Sequence, residues 1–239
     1  MTCEEDAHAA CASGAAFVGI IFADVSRRCV RDMSQARAIA DAAKRGGAEP
    51  VGVFLEQDAS EIVRICEEAG IGIAQLHGDP ARAALKDLPH KLRAIWVLNV
   101  SESGEVKTPL PKELFDSSRT TGSGAGTKPM ASRSVLTSAF DWQAGARRTI
   151  DYVLMDGMQP GSGEAYDWTK LTVPRGCYRK GWVLAGGLHP GNVAEAIRLA
   201  KPDVLDVASG VAGEDGVRKD TEKIRQFFDA VNDAYNVPS

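Results

Sequence analysis

Seven short apolar runs alternate with helix-like stretches along the whole chain, and this rhythm constrains the fold more than any other feature of the sequence. The runs are FVGIIF (17–22), PVGVFL (50–55), IGIAQLH (71–77), AIWVLNV (94–100), DYVLMD (151–156), WVLAGG (182–187) and VLDVAS (204–209). Most are apolar at successive positions rather than at alternate ones, the pattern of parallel strands covered on both faces. Between them, SQARAIADAAKRGG (34–47) and ASEIVRICEEAG (59–70) carry apolar residues three and four apart and stop at glycine. The stretch PGNVAEAIRLAK (190–201) opens with a proline suited to a first helical position. The last, KDTEKIRQFFDAVNDAY (219–235), offers Asp220 or Thr221 as a cap and Ile224, Phe227, Phe228 and Val231 as a buried stripe.

Repeated βα units make either a doubly wound sheet or a closed barrel. The count favours the barrel: seven strands, each with a possible following helix, and one extra helix, EEDAHAACASG (4–14), ahead of the first strand. That is the tally of an α/β (β/α)8 TIM barrel with strand 1 missing from this chain. A length of 239 residues suits one such barrel as a single domain over residues 1–239. No GxGxxG follows an early strand to support a dinucleotide site. Residues 101–148 break the rhythm. Their segment ELFDSSRTTGSGAGTKPMASRS predicts a long flexible, low-complexity insertion after strand 5 of the barrel, either a lid or simply a lengthened loop.

The charge balance narrows the partners. With 28 Lys and Arg against 32 Asp and Glu, the formal charge is −4, which favours neither nucleic acid nor a membrane surface. No apolar run approaches the roughly 20 residues of a membrane span. Five cysteines without CxxC pairing point to a reducing compartment, with neither a disulfide framework nor a zinc site.

In a (β/α)8 enzyme the active site is built at the C-terminal ends of the strands. Gln75 and His77 close one run, Asp156 another, Gly186 and Gly187 a third, and Asp206, Ser209 and Gly210 lie in or just after the last. Gly186-Gly187 and Ser209-Gly210, after adjacent terminal strands, can present backbone N–H groups and a helix N-terminus to a phosphate, or can be turn glycines only, and Asp206 is expected with them at the phosphate site. Asp156 ends an apolar strand. There it either sits desolvated enough for general acid work or caps the next turn.

The strings DYVLMDG…GSGEAYDW, QLHGD, LAGGLHPGNVAEAI and DVASGVAGEDGVRKDTEKI resemble phosphoribosylanthranilate isomerase in its plant and algal form. The resemblance runs from about Thr2 to Tyr235, interrupted by the insertion. It implies an Amadori rearrangement of a phosphorylated small molecule, N-(5-phosphoribosyl)anthranilate, in tryptophan biosynthesis. It also implies no cofactor or metal, a monomer or homodimer, and a chloroplast or otherwise cytoplasmic location. By the same resemblance Asp156 is the acid that protonates the ribose ring oxygen. Arg28 pairs with the anthranilate carboxylate, as a guanidinium fork can. Gln75 and His77 shape the pocket, and Gly161 and Gly163 belong to a substrate loop in which Pro160 replaces the first glycine. The alternatives are an inactive phosphate-binding barrel or another barrel enzyme acting on a phosphosugar.

The family's first strand reads roughly K-[IVM]-C-G-[IL]-T, with E-D-A a few residues later. Aligning Glu5-Asp6-Ala7 puts Thr2 on that threonine, so the strand and its cysteine, the family's general base, fall before Met1. A sequence shortened at its N-terminus is the expectation, against a protein that has lost activity. Cys3 lies after the threonine, at the helix start, outside the barrel interior.

Overall fold

The computed structural model describes residues 1–111, 149–157, 166–174 and 176–236. Seven strands are present among them: β1 (Phe17–Ile21), β2 (Glu49–Phe54), β3 (Ile73–Leu76), β4 (Arg93–Val100), β5 (Ile150–Gly157), β6 (Tyr178–Leu184) and β7 (Val204–Leu205). They form one sheet in chain order, every pair parallel, and β1 and β7 remain its two edges. The architecture is the (β/α)8 barrel short of its first strand. The gap lies between β1 and β7, and the amino group of Met1 donates there to the Gly19 carbonyl of β1.

The helices lie outside. In chain order they are α1 (Glu4–Ala12), α2 (Met33–Arg45), α3 (Ala59–Ala69), α4 (Asp79–Ala83), α5 (Val193–Ala200) and α6 (Thr221–Asn236). Asp32 and Asp58 cap α2 and α3 by accepting from Ser34 N at 2.8 Å and Glu61 N at 2.9 Å. Asp220 does the same for α6, accepting from Glu222 N at 2.9 Å and Lys223 N at 3.0 Å. Gly70 ends α3 in the left-handed conformation, φ 70°. Helix α1 packs between α6 and α2, the place of the first helix in an eightfold ring.

The two faces of the sheet bury different residues. Outward-facing Val18, Ile20, Trp96, Leu98, Met155 and Leu184 join Ile39, Ile62, Val193 and Ile224 from the helices in one cluster. Inward-facing Val51, Ile73, Ile95, Val97, Leu154 and Val183 form a second, with Phe17, Tyr152 and Val204 against it. Burial on both faces explains the continuous apolar runs, each fully buried Leu or Ile contributing about 1.5–3 kcal/mol. Two details differ from the sequence pattern. Strand β7 shrinks to two residues, since it pairs only with β6. The helix expected from Pro190 begins at Val193.

The expected insertion over 101–148 begins in an ordered turn. Ser101 N donates to Glu105 O at 2.9 Å, Lys107 N to Asn99 O at 2.8 Å, and Val100 bridges Val106. Residues 112–148 of that insertion lie outside the described residues, as do Gly161 and Gly163.

Candidate active site

Side chains two apart on a strand share a face, so the inner cluster locates the mouth. Gln75 follows Ile73 by two, Asn99 follows Val97, Asp156 follows Leu154, and Asp206 follows Val204. All four therefore finish the inner face at the C-terminal ends of the strands. His77 continues the line of Gln75 one step beyond β3, its N–H donating to Phe54 O at 2.8 Å. Asn99 and Asp156 are partners in the parallel register of β4 and β5.

His77 Nε2 approaches Asp156 Oδ2 to 3.5 Å, with the side chains 12% and 14% exposed. Burial pushes the Asp156 carboxyl up to about 7, and the like charge of Asp206 adds to the push. The same burial, with the positive charge of Arg82 behind it, pushes His77 down to about 4. Near neutrality the imidazole is uncharged and the carboxyl is poised to carry a proton. Beneath them Tyr166 donates its hydroxyl to the carbonyls of Met155 and Ala185, each at 3.1 Å, tying β5 to the end of β6.

The two glycine loops come together beside this pair. Gly186 (φ +87°) and Gly187 (φ +66°) hold conformations that side chains resist. A Cβ on Gly186 would also lie 3.1 Å from Asp156 Oδ1. Asn192 clamps the turn, donating from Nδ2 to Gly187 O at 2.9 Å and accepting from His189 N at 2.8 Å. Across from it, Ser209 and Gly210 open a 3-10 turn, Ser209–Val211. A Cβ on Gly210 would meet Leu188 O at 1.9 Å, so only glycine lets the loops after β6 and β7 touch.

The third group sits by the gap between β1 and β7. Arg28, on the loop after β1, is close enough that its charge acts on both Asp206 and Lys219. Its neighbour Arg27 points elsewhere and donates from Nη2 to Asp215 O at 3.2 Å. Burial pushes the Asp206 carboxyl up, with Lys219 the strongest opposing charge. Burial lowers the Lys219 ammonium to about 8, and its Nζ donates to Ala208 O at 2.6 Å.

Three residues of this mouth were not singled out from the sequence. Asn99 hides inside an apolar run, though its spacing from Val97 marks its face, and its Oδ1 is buried with no hydrogen-bond partner among the described residues. Lys219 lies in a charged stretch before a helix, and Arg82 in a short helix that the periodicity did not reveal. Cys3 precedes α1 with its thiol pushed up to about 11, chiefly by burial and then by the Glu5 side chain, so the helix N-terminus does not make it a thiolate.

Comparison with known proteins places this arrangement. The family model of N-(5'phosphoribosyl)anthranilate (PRA) isomerase matches residues 1–128 and 126–230. An Arabidopsis thaliana relative, N-(5'-phosphoribosyl)anthranilate isomerase 1, chloroplastic, is 34% identical over 235 residues, covering 98% of this chain and 74% of the relative. A phosphoribosyl anthranilate isomerase crystal structure from Thermus thermophilus superposes with a TM-score of 0.67 at 30% identity, covering 98% of this chain and 96% of that one. A second crystal structure, at 24% identity and TM-score 0.67 over 98% and 95% of the two chains, shares the fold. It holds reduced 1-(o-carboxyphenylamino)-1-deoxyribulose 5-phosphate. The chain belongs to the N-(5'phosphoribosyl)anthranilate isomerase family.

Proposed function

We propose that this protein converts N-(5-phosphoribosyl)anthranilate to 1-(2-carboxyphenylamino)-1-deoxyribulose 5-phosphate, a step of tryptophan biosynthesis, with Asp156 as general acid. The observation that carries this reading is the Asp156 carboxyl, lifted to about 7 at the end of β5, between His77 and the two glycine loops. An acid with a pKa near the working pH is matched to proton transfer. Asp156 gives its proton to the ribose ring oxygen, the bond from that oxygen to C1′ breaks, and the anthranilate nitrogen lone pair forms the C1′ Schiff base. Loss of the C2′ proton then gives an enolamine, which tautomerises to the ketose. C2′ is oxidised and C1′ reduced within one molecule, so the balance needs no external redox partner.

Each other residue has a place in this reading. Arg28 pairs with the anthranilate carboxylate, and its position on the loop after β1, beside Asp206, supports that role. Backbone groups near Gly186, Gly187, Ser209 and Gly210 hold the phosphate, while Gln75 and His77 line the pocket and Asp206 sustains the protonated state of Asp156. Gly161 and Gly163, outside the described residues, belong in this reading to the substrate loop. The C2′ proton belongs to a base that the family carries on its first strand. The five cysteine thiols of this chain are all pushed up by burial, so none of them is assigned that step. The reading takes residues 1–239 as one barrel domain, and the chloroplastic Arabidopsis relative supports a plastid location.

Calorimetric titration with reduced 1-(o-carboxyphenylamino)-1-deoxyribulose 5-phosphate tests the pocket directly. Saturable one-to-one binding that weakens in Arg28→Met, and again when the ligand's phosphate is removed, is the expected result. A folded protein that does not bind this compound would overturn the assignment.

A further inference from the structure

Among the described residues Arg82 is the only lysine or arginine that is buried, at 9% exposure, and nothing in the proton transfer above uses it. Burying a guanidinium is costly unless its donors are satisfied. Here three bonds engage it: Arg82 Nη1 donates to the His77 carbonyl and reaches the Val97 carbonyl at 3.4 Å, while Nη2 donates to Asp79 Oδ1. The His77 carbonyl lies one step beyond β3, and Val97 lies two residues before Asn99 on β4. The cation thus ties the residue after β3 to β4, the strand that pairs with β5 and so with Asp156, although the β3–β4 ladder already pairs those two strands from Ile73 to Leu76. Strand pairing therefore does not by itself call for a charged side chain here.

The charge has a consequence through His77. Its Nε2 is buried, has no hydrogen-bond partner among the described residues, and faces Asp156 Oδ2 at 3.5 Å. One proton can reside on either partner. On His77 it would create an imidazolium that keeps Asp156 ionised and removes the acid. On Asp156 it leaves the acid ready. We propose that Arg82 is a positioning residue for this pair, fixing the imidazole beside the carboxyl and opposing protonation of His77, so that the proton stays on Asp156.

The charges around the pair agree with this. Asp206 on β7 repels a negative Asp156 and so acts in the same direction. Asp79 on α4 offsets part of the Arg82 charge, but its side chain is 90% exposed and well solvated. Tyr166 is neutral and engaged with two carbonyls. Glu56, on the loop after β2, accepts from Asp24 N at 2.7 Å. Arg28, on the loop after β1, and Lys219 stand beside Asp206, and neither acts on His77 or Asp156 as strongly as Arg82 and Asp206 do.

The proposal rests on Asp156 being the acid of the isomerase reading, and the test separates the two. In the full chain, the kcat–pH profile is recorded for wild type, Arg82→Lys, Arg82→Met, His77→Gln and the double variant His77→Gln/Arg82→Met. The His77 ring nitrogens are titrated by NMR in parallel, with folding checked by circular dichroism. Arg82→Met is expected to move the alkaline limb of kcat down by about one pH unit and to raise His77 titration by a similar amount. Arg82→Lys is expected to keep the wild-type limb, and the double variant to match His77→Gln. An unchanged limb and unchanged His77 titration in folded Arg82→Met would overturn the proposal, as would an equal shift in the His77→Gln background. If Arg82→Met does not fold, Arg82→Gln decides: His77 titration raised relative to wild type supports the role, and an unchanged His77 titration overturns it. Absent wild-type turnover would overturn the isomerase reading, while the His77 titration still judges Arg82.

Discussion

His77 Nε2 lies 3.5 Å from Asp156 Oδ2, joining the ends of β3 and β5 across the face where Asn99 of β4 also sits. A neutral imidazole beside a protonated carboxyl is an arrangement for giving up a proton. Replacing Asp156 with Asn keeps the shape and removes that proton. We expect kcat to fall by roughly 10²–10⁴ while the reduced product analogue still binds, because the contacts to carboxylate and phosphate are elsewhere. Turnover and calorimetry on the same preparation check both halves of the statement.

The acid also fixes the pH behaviour. His77, held near 4, does not titrate around neutrality, so loss of kcat as pH rises through about 7 belongs to Asp156. The expected profile is high below that value and falls above it. A profile that rises through pH 7 would contradict the assignment.

Stability should follow the opposite demand. Asp156 titrates near 3.8 when unfolded and near 7 when folded, so between those values the native state holds more protons. Its contribution is fully present below pH 4 and is lost as pH rises through 7. Asp156→Asn escapes this loss. Thermal melts should show the variant more stable than wild type by several degrees at pH 8, at about 2–4 °C per kcal/mol, with the margin closing near pH 4. An equal margin at both pH values would count against a buried, proton-hungry carboxyl.

Gly210→Ala tests the junction of the glycine loops. With Leu188 O at 1.9 Å from the new Cβ, the loops after β6 and β7 must separate. Displacing the bound phosphate by an ångström is expected to lower kcat/KM on the order of 10²-fold. Gly213→Ala, whose nearest neighbour is Arg218 O at 3.6 Å, should change it little.

Asp6 anchors α1, and its role is structural. Only 4% exposed, it accepts from Arg218 Nε at 3.2 Å and Lys219 N at 3.0 Å. Asp6→Ala should cost about 2–3 kcal/mol in a urea titration, since two donors to a charged group lose their partner. A loss below about 0.5 kcal/mol would mean that solvent replaces both bonds.

The strands were legible because burial on two faces writes itself as unbroken apolar runs, and seven were expected and found. The last was overread: VLDVAS has the composition of a strand, but with a neighbour on one side only Val204 and Leu205 pair. Asp156, His77 and the paired glycines stood out as strand-end polar or small residues after apolar runs. Asn99 did not, because a single polar residue before Val100 left the run looking intact. Arg82 was invisible for a different reason. Its burial depends on the carbonyls of His77 and Val97, which only the folded β3–β4 pair brings beside it, and a short Asp-Pro-Ala-Arg helix reads locally as solvated surface.

The most direct test of the account is turnover of freshly generated N-(5-phosphoribosyl)anthranilate by wild type and Asp156→Asn at pH 6.5, with substrate and ketose product separated by chromatography. The account predicts conversion by wild type and a loss of at least about 10²-fold in the variant. A wild-type protein that binds the product analogue but forms no ketose, or a variant that keeps the wild-type rate, would contradict it.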